Sequence, residues 1–308
     1  MRALLVINPA ATDTSAGRRD VLIRALRSEL ELDVAQTGHR GHAEELGRQA
    51  VTDGIDVVVS VGGDGTVNEV VNGLLASGPS EGLPALAVIP GGNANVFGRA
   101  LGVARSQVEA TEELLDALRT GRRRRVGLGQ ADDRWFTFCA GFGLDAEVVQ
   151  EVERRRASGT PASSGLFVRA AVRRFIASPT RRHPPLRLER PGQPPVGPLC
   201  LAIVSNTRPW TYLGARPLVA SPEAGLDTGL DLLAARRLDV LGTTATLVRM
   251  LAPGGRPAAG ASMVGMHDLA EFTLVADEPL AAQLDGEYVG DRQRLEFRAA
   301  PQALTVVG

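Results

Sequence analysis

The sequence predicts a doubly wound α/β domain followed by a mostly antiparallel β-sandwich domain. Two observations carry the first half. Apolar, β-branched runs alternate with helical periodicities up to about residue 120, and three of those runs end in small polar loops. A third observation carries the second half: beyond Arg122 short strand-like runs follow one another, interrupted by helical patterns only at 146–156, 165–177 and 238–251. A length of 308 residues suits two domains, and the expected division is 1–124 and 125–308, with the last strand able to return to the first domain.

Residues 4–7 read as a buried strand that breaks at Asn8-Pro9, and 10–17 as a small polar loop. Such an N-terminus is too short for a signal peptide. A helix is expected over 18–30, with Val21, Leu22, Ala25, Leu26 and Leu30 on one side, then a short strand over 32–36 ending at Thr37. Gly41-His42-Ala43 leads into a helix to about Asp53. The run Val57-Val58-Val59-Ser60-Val61 has the pattern of a strand buried on both faces. It meets Gly62-Gly63-Asp64-Gly65-Thr66, after which Val67, Val70, Val71, Leu74 and Leu75 recur at helical spacing. Residues 77–84 are turn-rich, 86–89 form a strand ending at Pro90-Gly91-Gly92-Asn93-Ala94-Asn95, and 109–120 are helical. In the second half, strands are expected over 125–130, 135–140, 186–189, 199–205, 230–234, 271–276, 282–284, 295–299 and 303–307. The proline-rich stretch 184–198 is expected to be an exposed loop around one short strand.

Composition removes several classes of function. The formal net charge of −1 argues against a general nucleic-acid binder. Cys139 and Cys200 sit in apolar runs and read as core residues of a reducing compartment. No apolar run reaches the length of about 18 residues that a spanning helix needs. All 34 basic residues are arginine. The absence of lysine excludes a Walker loop ending in Gly-Lys-Ser/Thr, the strand lysine of protein kinases and a pyridoxal-phosphate Schiff base.

The loops at 8–12, 62–66 and 91–95 would open on one edge of a doubly wound sheet. Glycine lets an anion approach bare backbone N–H groups, and the helix starting after Gly63 adds its positive end. Thr66 is placed to donate a hydroxyl or to cap that helix. Together the loops outline a phosphate site that works without a Walker lysine. Asn-Pro at the first strand, Gly62-Gly63-Asp64-Gly65-Thr66-Val67-Asn68-Glu69 at the third, Pro90-Gly91-Gly92-Asn93-Ala94-Asn95-Val96-Phe97-Gly98-Arg99 at the fourth and a late Asp285-Gly286-Glu287 resemble the diacylglycerol kinase catalytic family, which includes bacterial lipid kinases and sphingosine kinases. The resemblance runs in order over nearly the whole chain. Its Gly-Gly-Asp-Gly-Thr run is shared with NAD kinases and phosphofructokinases, and the late Asp-Gly-Glu favours the lipid-kinase branch.

The resemblance implies an NAD kinase-like fold for the nucleotide-binding first domain and a lipid-substrate role for the second. It implies that ATP, with Mg²⁺, is held by Asn8, Pro9, Ala10, Ala11, Thr12, Thr37, Gly62, Gly63, Asp64, Gly65, Thr66, Val67, Asn68 and Asn93. Glu287 is implied as the base on the lipid hydroxyl, with Asp285 beside it near the metal and Asp64 as a carboxylate for Mg²⁺. By themselves, Asp285 and Gly286 read as an ordinary hairpin turn pair. The implied activity is transfer of the γ-phosphoryl of ATP to a lipid hydroxyl, diacylglycerol to phosphatidic acid, by a cytoplasmic enzyme that sits transiently on the membrane surface and binds no nucleic acid. Self-association into a homodimer stays open. So do two rival readings: a kinase of a soluble substrate, and a nucleotide- or lipid-binding regulator that has lost catalysis.

Two departures from the family pattern motivate the last rival. Val96 stands where the family has a carboxylate, and Thr228 stands at the head of its metal-binding Asp-Gly segment, with Asp227 one position earlier as the remaining metal candidate. Other signals have a bland and a functional reading. His39 and His42 fit a helix start or a metal pair. The arginines at 122–125 fit a solvated turn. The apolar and arginine-bearing stretch 165–177 fits a helix facing its own core or one docking on an anionic membrane. Trp210 and Tyr212 fit a loop anchor or a lipid entrance.

Overall fold

The structure, a computed structural model, describes residues 1–11, 16–158, 164–256 and 260–308. The chain forms two compact units, Met1–Leu128 with Pro301–Gly308, and Gly129–Ala300.

The first unit alternates strand and helix: β1 (Arg2–Ile7), α1 (Ala16–Arg27), β2 (Glu31–Gln36), α2 (His42–Thr52), β3 (Val57–Gly62), α3 (Asp64–Leu74), β4 (Ala85–Pro90), α4 (Val96–Ala100) and α5 (Gln107–Thr120). The strands pair in parallel in the order β4-β3-β1-β2. Every residue of β3 and β4 is buried, because helices cover both faces of a parallel sheet; this is why both strands read as unbroken apolar runs. From β1 the chain goes outward to β2 on one side and returns to β3 on the other. The strand order therefore reverses between β1 and β3, where open α/β sheets take ligands. The helices α2 and α3 pack closely: a Cβ on Gly73 would lie 2.2 Å from the Glu44 carbonyl oxygen. Glu69 caps α2 from a distance, accepting from the backbone N–H groups of Gly41 at 2.8 Å and Ala43 at 3.1 Å.

The second unit begins inside β5 (Arg123–Ala131) and continues through β6 (Arg134–Phe136), β7 (Cys139–Gly143), α6 (Leu144–Ala157), α7 (Ser164–Ala177), β8 (Leu186–Arg190), β9 (Gln193–Leu199), β10 (Leu201–Ser205), β11 (Thr211–Leu213), β12 (Arg216–Leu218), β13 (Leu230–Ala235), α8 (Val240–Met250), β14 (Met263–Leu269), β15 (Glu271–Leu284) and β16 (Glu287–Val307). Its pairing is antiparallel. The long strand β15 serves two sets of partners. Residues 282–284 pair with β7, while residues 273–276 pair with β8, and the register breaks between Val275 and Leu280. Both sets contribute to one core through Phe142, Leu188, Leu232, Leu274 and Phe297, as expected of sheet layers joined by an irregular strand. The last residues of β16 lie in the first unit, where Val306 pairs in parallel with Leu86 of β4.

Several elements differ from the expectation. The strand expected over 135–140 is two strands, β6 and β7, parted at Thr137 and Phe138. The stretch 184–198 contains a β8/β9 hairpin. Its second strand carries Pro194, Pro195 and Pro198 and pairs only with β8, and an edge is where a sheet tolerates proline. The pairs of short strands expected at 271–284 and 295–307 are each one continuous strand. The helix α4 and the strand β14 were not expected.

Candidate active site

In the first unit the backbone ties three strand ends together. The amide of Asn8 donates from Nδ2 to the Thr66 hydroxyl at 3.0 Å, and Asn8 Oδ1 accepts from the Ala10 N–H at 3.0 Å. The loop after β1 is thus tied to the start of α3 while its own turn is fixed. Gly62 must lack a side chain: a Cβ there would meet the Thr66 hydroxyl at 2.6 Å. The loops after β3 and β4 pack glycine on glycine. A Cβ on Gly92 would lie 2.7 Å from the Gly63 Cα, and the Gly91 N–H donates to the Gly62 carbonyl at 2.8 Å. Such closeness leaves backbone N–H groups as the surface a ligand meets, at the positive end of α3.

Side chains complete the frame. Asn95, at φ 46°, closes its loop by accepting from the Gly92 N–H at 3.0 Å and donating to the Gly92 carbonyl at 2.6 Å. Partly buried Asp64 accepts from the Phe97 N–H at 3.2 Å, so the acid of the third-strand loop also anchors α4. Exposed Asn93 lines a cavity of about 150 Å³ with Asn95, Arg99 and Arg105. With no lysine in the chain, Arg99 and Arg105 are the cations at this cavity; sequence reasoning did not single them out. Val67 and Asn68 are both buried, with Asn68 Oδ1 accepting from Asn72. Thr37 continues from β2, its N–H bonded to the Ile7 carbonyl at 2.9 Å. Pro9, Ala10 and Ala11 lie at the same edge, and Thr12 lies outside the described residues. Val96 is buried, which accounts for an apolar residue at that position.

In the second unit the late Asp-Gly-Glu forms the turn between β15 and β16. Leu284 pairs with Glu287, and Asp285 and Gly286 have φ of 49° and 77°, both positive as a two-residue hairpin turn requires. This turn is pinned from beneath. The buried Asp285 carboxylate accepts from the Thr137 N–H at 2.7 Å, the Thr137 hydroxyl at 2.8 Å, the Phe138 N–H at 2.9 Å and the Cys139 N–H at 3.0 Å. Burial pushes this carboxyl above the ordinary carboxylate value, and the donors oppose that rise. The interval between β6 and β7 is therefore the seat of the turn. Gln283, also buried, accepts from the Gly286 N–H at 2.8 Å and donates to Asp145 at 2.9 Å. Burial raises the Asp145 carboxyl to about 6, opposed by the Gln283 bond. On the far side, the Tyr288 N–H donates to Glu153 at 3.1 Å. Between these anchors Glu287 is partly exposed.

The segment around Asp227 directs its polar groups inward. The Thr228 hydroxyl donates to the Gly225 carbonyl at 3.0 Å, and buried Asp231 takes His267 Nδ1 at 2.8 Å and the Asp268 N–H at 3.2 Å. Asp227 itself is exposed. Among the described residues, no three His, Cys, Asp or Glu side chains converge as metal ligands. His39 and His42 stack at 4.9 Å, and His42 Nδ1 accepts from the Gly38 N–H, a local arrangement at the start of α2.

Residues 2–131 match the diacylglycerol kinase catalytic domain. The chain is 30% identical over 294 residues to diacylglycerol kinases of Staphylococcus aureus, strains MRSA252 and JH9, covering 94% of this chain and 87% of theirs. A crystal structure of a diacylglycerol kinase from Bacillus anthracis shares the fold with a TM-score of 0.72 at 20% identity, over 99% of this chain and 96% of that one. A second crystal structure from that organism gives 0.77 at 21%. Taken with the glycine loops and the late Asp-Gly-Glu turn, these matches show that the chain belongs to the diacylglycerol kinase catalytic-domain family.

Proposed function

We propose that this lipid kinase transfers the γ-phosphoryl group of ATP to the primary hydroxyl of diacylglycerol, giving phosphatidic acid, at the cytoplasmic surface of a membrane. The observation that carries this reading is the contrast between two carboxylates two residues apart. Asp285 is held by four donors, whereas Glu287 is partly exposed on the turn that Asp285 fixes.

The loops at Asn8–Ala11, Gly62–Thr66 and Asn93 would hold the nucleotide. Backbone N–H groups of the glycine loop would contact phosphate oxygens, since glycine places no Cβ between them and the anion. Mg²⁺, when bound with ATP, neutralises charge on the phosphates, and Asp64 is the acid of these loops that would hold it. Glu287 would accept the proton of the lipid hydroxyl as its oxygen attacks phosphorus. Asp285 acts through Glu287: it positions the turn and does not itself meet the metal, because its carboxylate is already taken up by residues 137–139.

Phosphoryl transfer depends on positioning and charge neutralisation more than on covalent participation of the protein. A pinned turn supplies the positioning. The test is incubation with γ-labelled ATP, Mg²⁺ and dioleoylglycerol in mixed micelles, followed by separation of the lipids. Label in phosphatidic acid supports the reading. Label only in NAD or another soluble acceptor overturns it.

A further inference from the structure

One stretch of chain, residues 137–153, holds the turn that carries Glu287. Thr137, Phe138 and Cys139 seat the Asp285 carboxylate. The chain then runs through β7 and bends at Gly143, whose φ is 83°, into α6. The first turn of α6 supplies Asp145, which accepts from Gln283 Nε2 at 2.9 Å. About two turns further on, Glu153 accepts from the Tyr288 N–H at 3.1 Å. The backbone is therefore bonded on both sides of Glu287. Before it, the Gly286 N–H donates to Gln283 Oε1 at 2.8 Å; after it, the Tyr288 N–H donates to Glu153.

Gln283 is buried, and its amide fits only one way round. With Oε1 accepting from Gly286, the NH₂ group must meet acceptors. It meets the Asp145 carboxylate and, at 3.7 Å, the Cys139 sulfur. A carboxylate has no proton to give, so Asp145 rejects the reversed amide, whose carbonyl oxygen would face it. Gly141 of β7 makes room for the pair. A Cβ there would lie 1.8 Å from Asp145 Oδ2 and 2.7 Å from Gln283 Nε2. Gly141 is not among the residues of positive φ, so it is glycine for space and not for backbone freedom.

We propose that Gln283 is a positioning residue for phosphoryl transfer, oriented by Asp145 and acting through the Gly286 N–H to aim Glu287. This rests on the lipid-kinase reading, in which Glu287 takes the proton of the acceptor hydroxyl. Asp285 fastens the first residue of the turn and Gln283 the second. With one fastening gone the other becomes a pivot, and Glu287 swings while the sheet stays folded. A base must lie within hydrogen-bond reach of its proton, and a misplacement of about 1 Å can lower a rate about 10²-fold. The Gly286 bond therefore governs the rate of transfer. It leaves ATP binding alone, because the glycine loops belong to the other compact unit.

The test is steady-state transfer from γ-labelled ATP to dioleoylglycerol in mixed micelles by the full chain at pH 7.5. Gln283→Glu sets one carboxylate against another, and kcat is expected to fall by about tenfold or more with the KM for ATP unchanged. Adding Asp145→Asn reverses the polarity of the pair. The new amide donates to the new carboxylate, whose other oxygen still accepts from Gly286. The double variant Gln283→Glu/Asp145→Asn is expected to return kcat to within about threefold of wild type. Gln283→Leu keeps the bulk, drops the acceptor and stays slow. Hydrogen exchange at the Gly286 amide, followed by NMR, reads the bond itself, and protection is expected to drop in Gln283→Leu. A kcat equal to wild type in both single variants overturns the inference. So does unchanged protection of Gly286, or a double variant as slow as Gln283→Glu with a wild-type urea midpoint. If wild type transfers no label to the lipid while Gln283→Leu loses protection at Gly286, the kinase reading falls and the hold of Gln283 on the turn stands.

Discussion

The Asp285 carboxylate accepts both the backbone N–H and the hydroxyl of Thr137, at 2.7 and 2.8 Å, across 148 residues of sequence. One residue thus fastens the β15–β16 turn to the gap between β6 and β7. Glu287 follows two positions later, so its location depends on this fastening. Asp285→Asn keeps the size but turns one acceptor into an NH₂ donor, which faces two donors whichever way the amide lies. The expected cost is about 1–3 kcal/mol of stability, read as a lower urea midpoint. Turnover should fall further than that loss explains, with the KM for ATP unchanged.

The glycine contact between the loops after β3 and β4 predicts a second effect. Gly92→Ala places a methyl group 2.7 Å from the Gly63 Cα, which must move. Stability should drop by about 1–3 kcal/mol, and the KM for ATP should rise. Gly265→Ala is the control, because a Cβ there meets nothing within 4 Å and the substitution should leave both quantities unchanged. Equal behaviour of the two variants in urea titrations and ATP kinetics would contradict this account of the loops.

Much of the first unit was legible in the sequence because a parallel sheet buried on both faces leaves continuous apolar strands, and covering helices leave periodic ones. What escaped had no period to show. The helix α4 has five residues and starts after a left-handed Asn95. The strand β14 is half-exposed along its length, and prolines disguise β9. At the site, the residue types of 285–287 were visible as a motif. The burial of Asp285 was not, because its donors come from residues 137–139 and no local pattern announces them. The stripe on α7 was visible too; which of its sides faces protein is decided by Val152, a residue of another helix.

Burial gives Asp145 a pH signature. Its carboxyl is raised from 3.8 to about 6 in the folded chain. A raised acid contributes stability that is fully present below its unfolded pKa and is lost as pH rises through its folded one. The window is therefore from about 3.8 to about 6, and the loss across it is about 3 kcal/mol for a shift of roughly two pH units. Asp145→Asn stays neutral and keeps an acceptor for Gln283. Relative to wild type it should gain stability as pH goes from 4 to 7.5, seen as a growing difference in urea midpoints. A constant difference across that range would show that Asp145 does not titrate in this way.

The central claim is that Glu287, carried on a turn fixed by Asp285, takes the proton of the lipid hydroxyl. Its most direct measurement is single-turnover transfer from γ-labelled ATP to diacylglycerol by wild type and by Glu287→Gln, with calorimetric ATP binding and melting temperature recorded on the same samples. The rate in Glu287→Gln is expected to fall by about 10²–10⁴-fold with ATP affinity and melting temperature unchanged. Transfer by Glu287→Gln at the wild-type rate would contradict it.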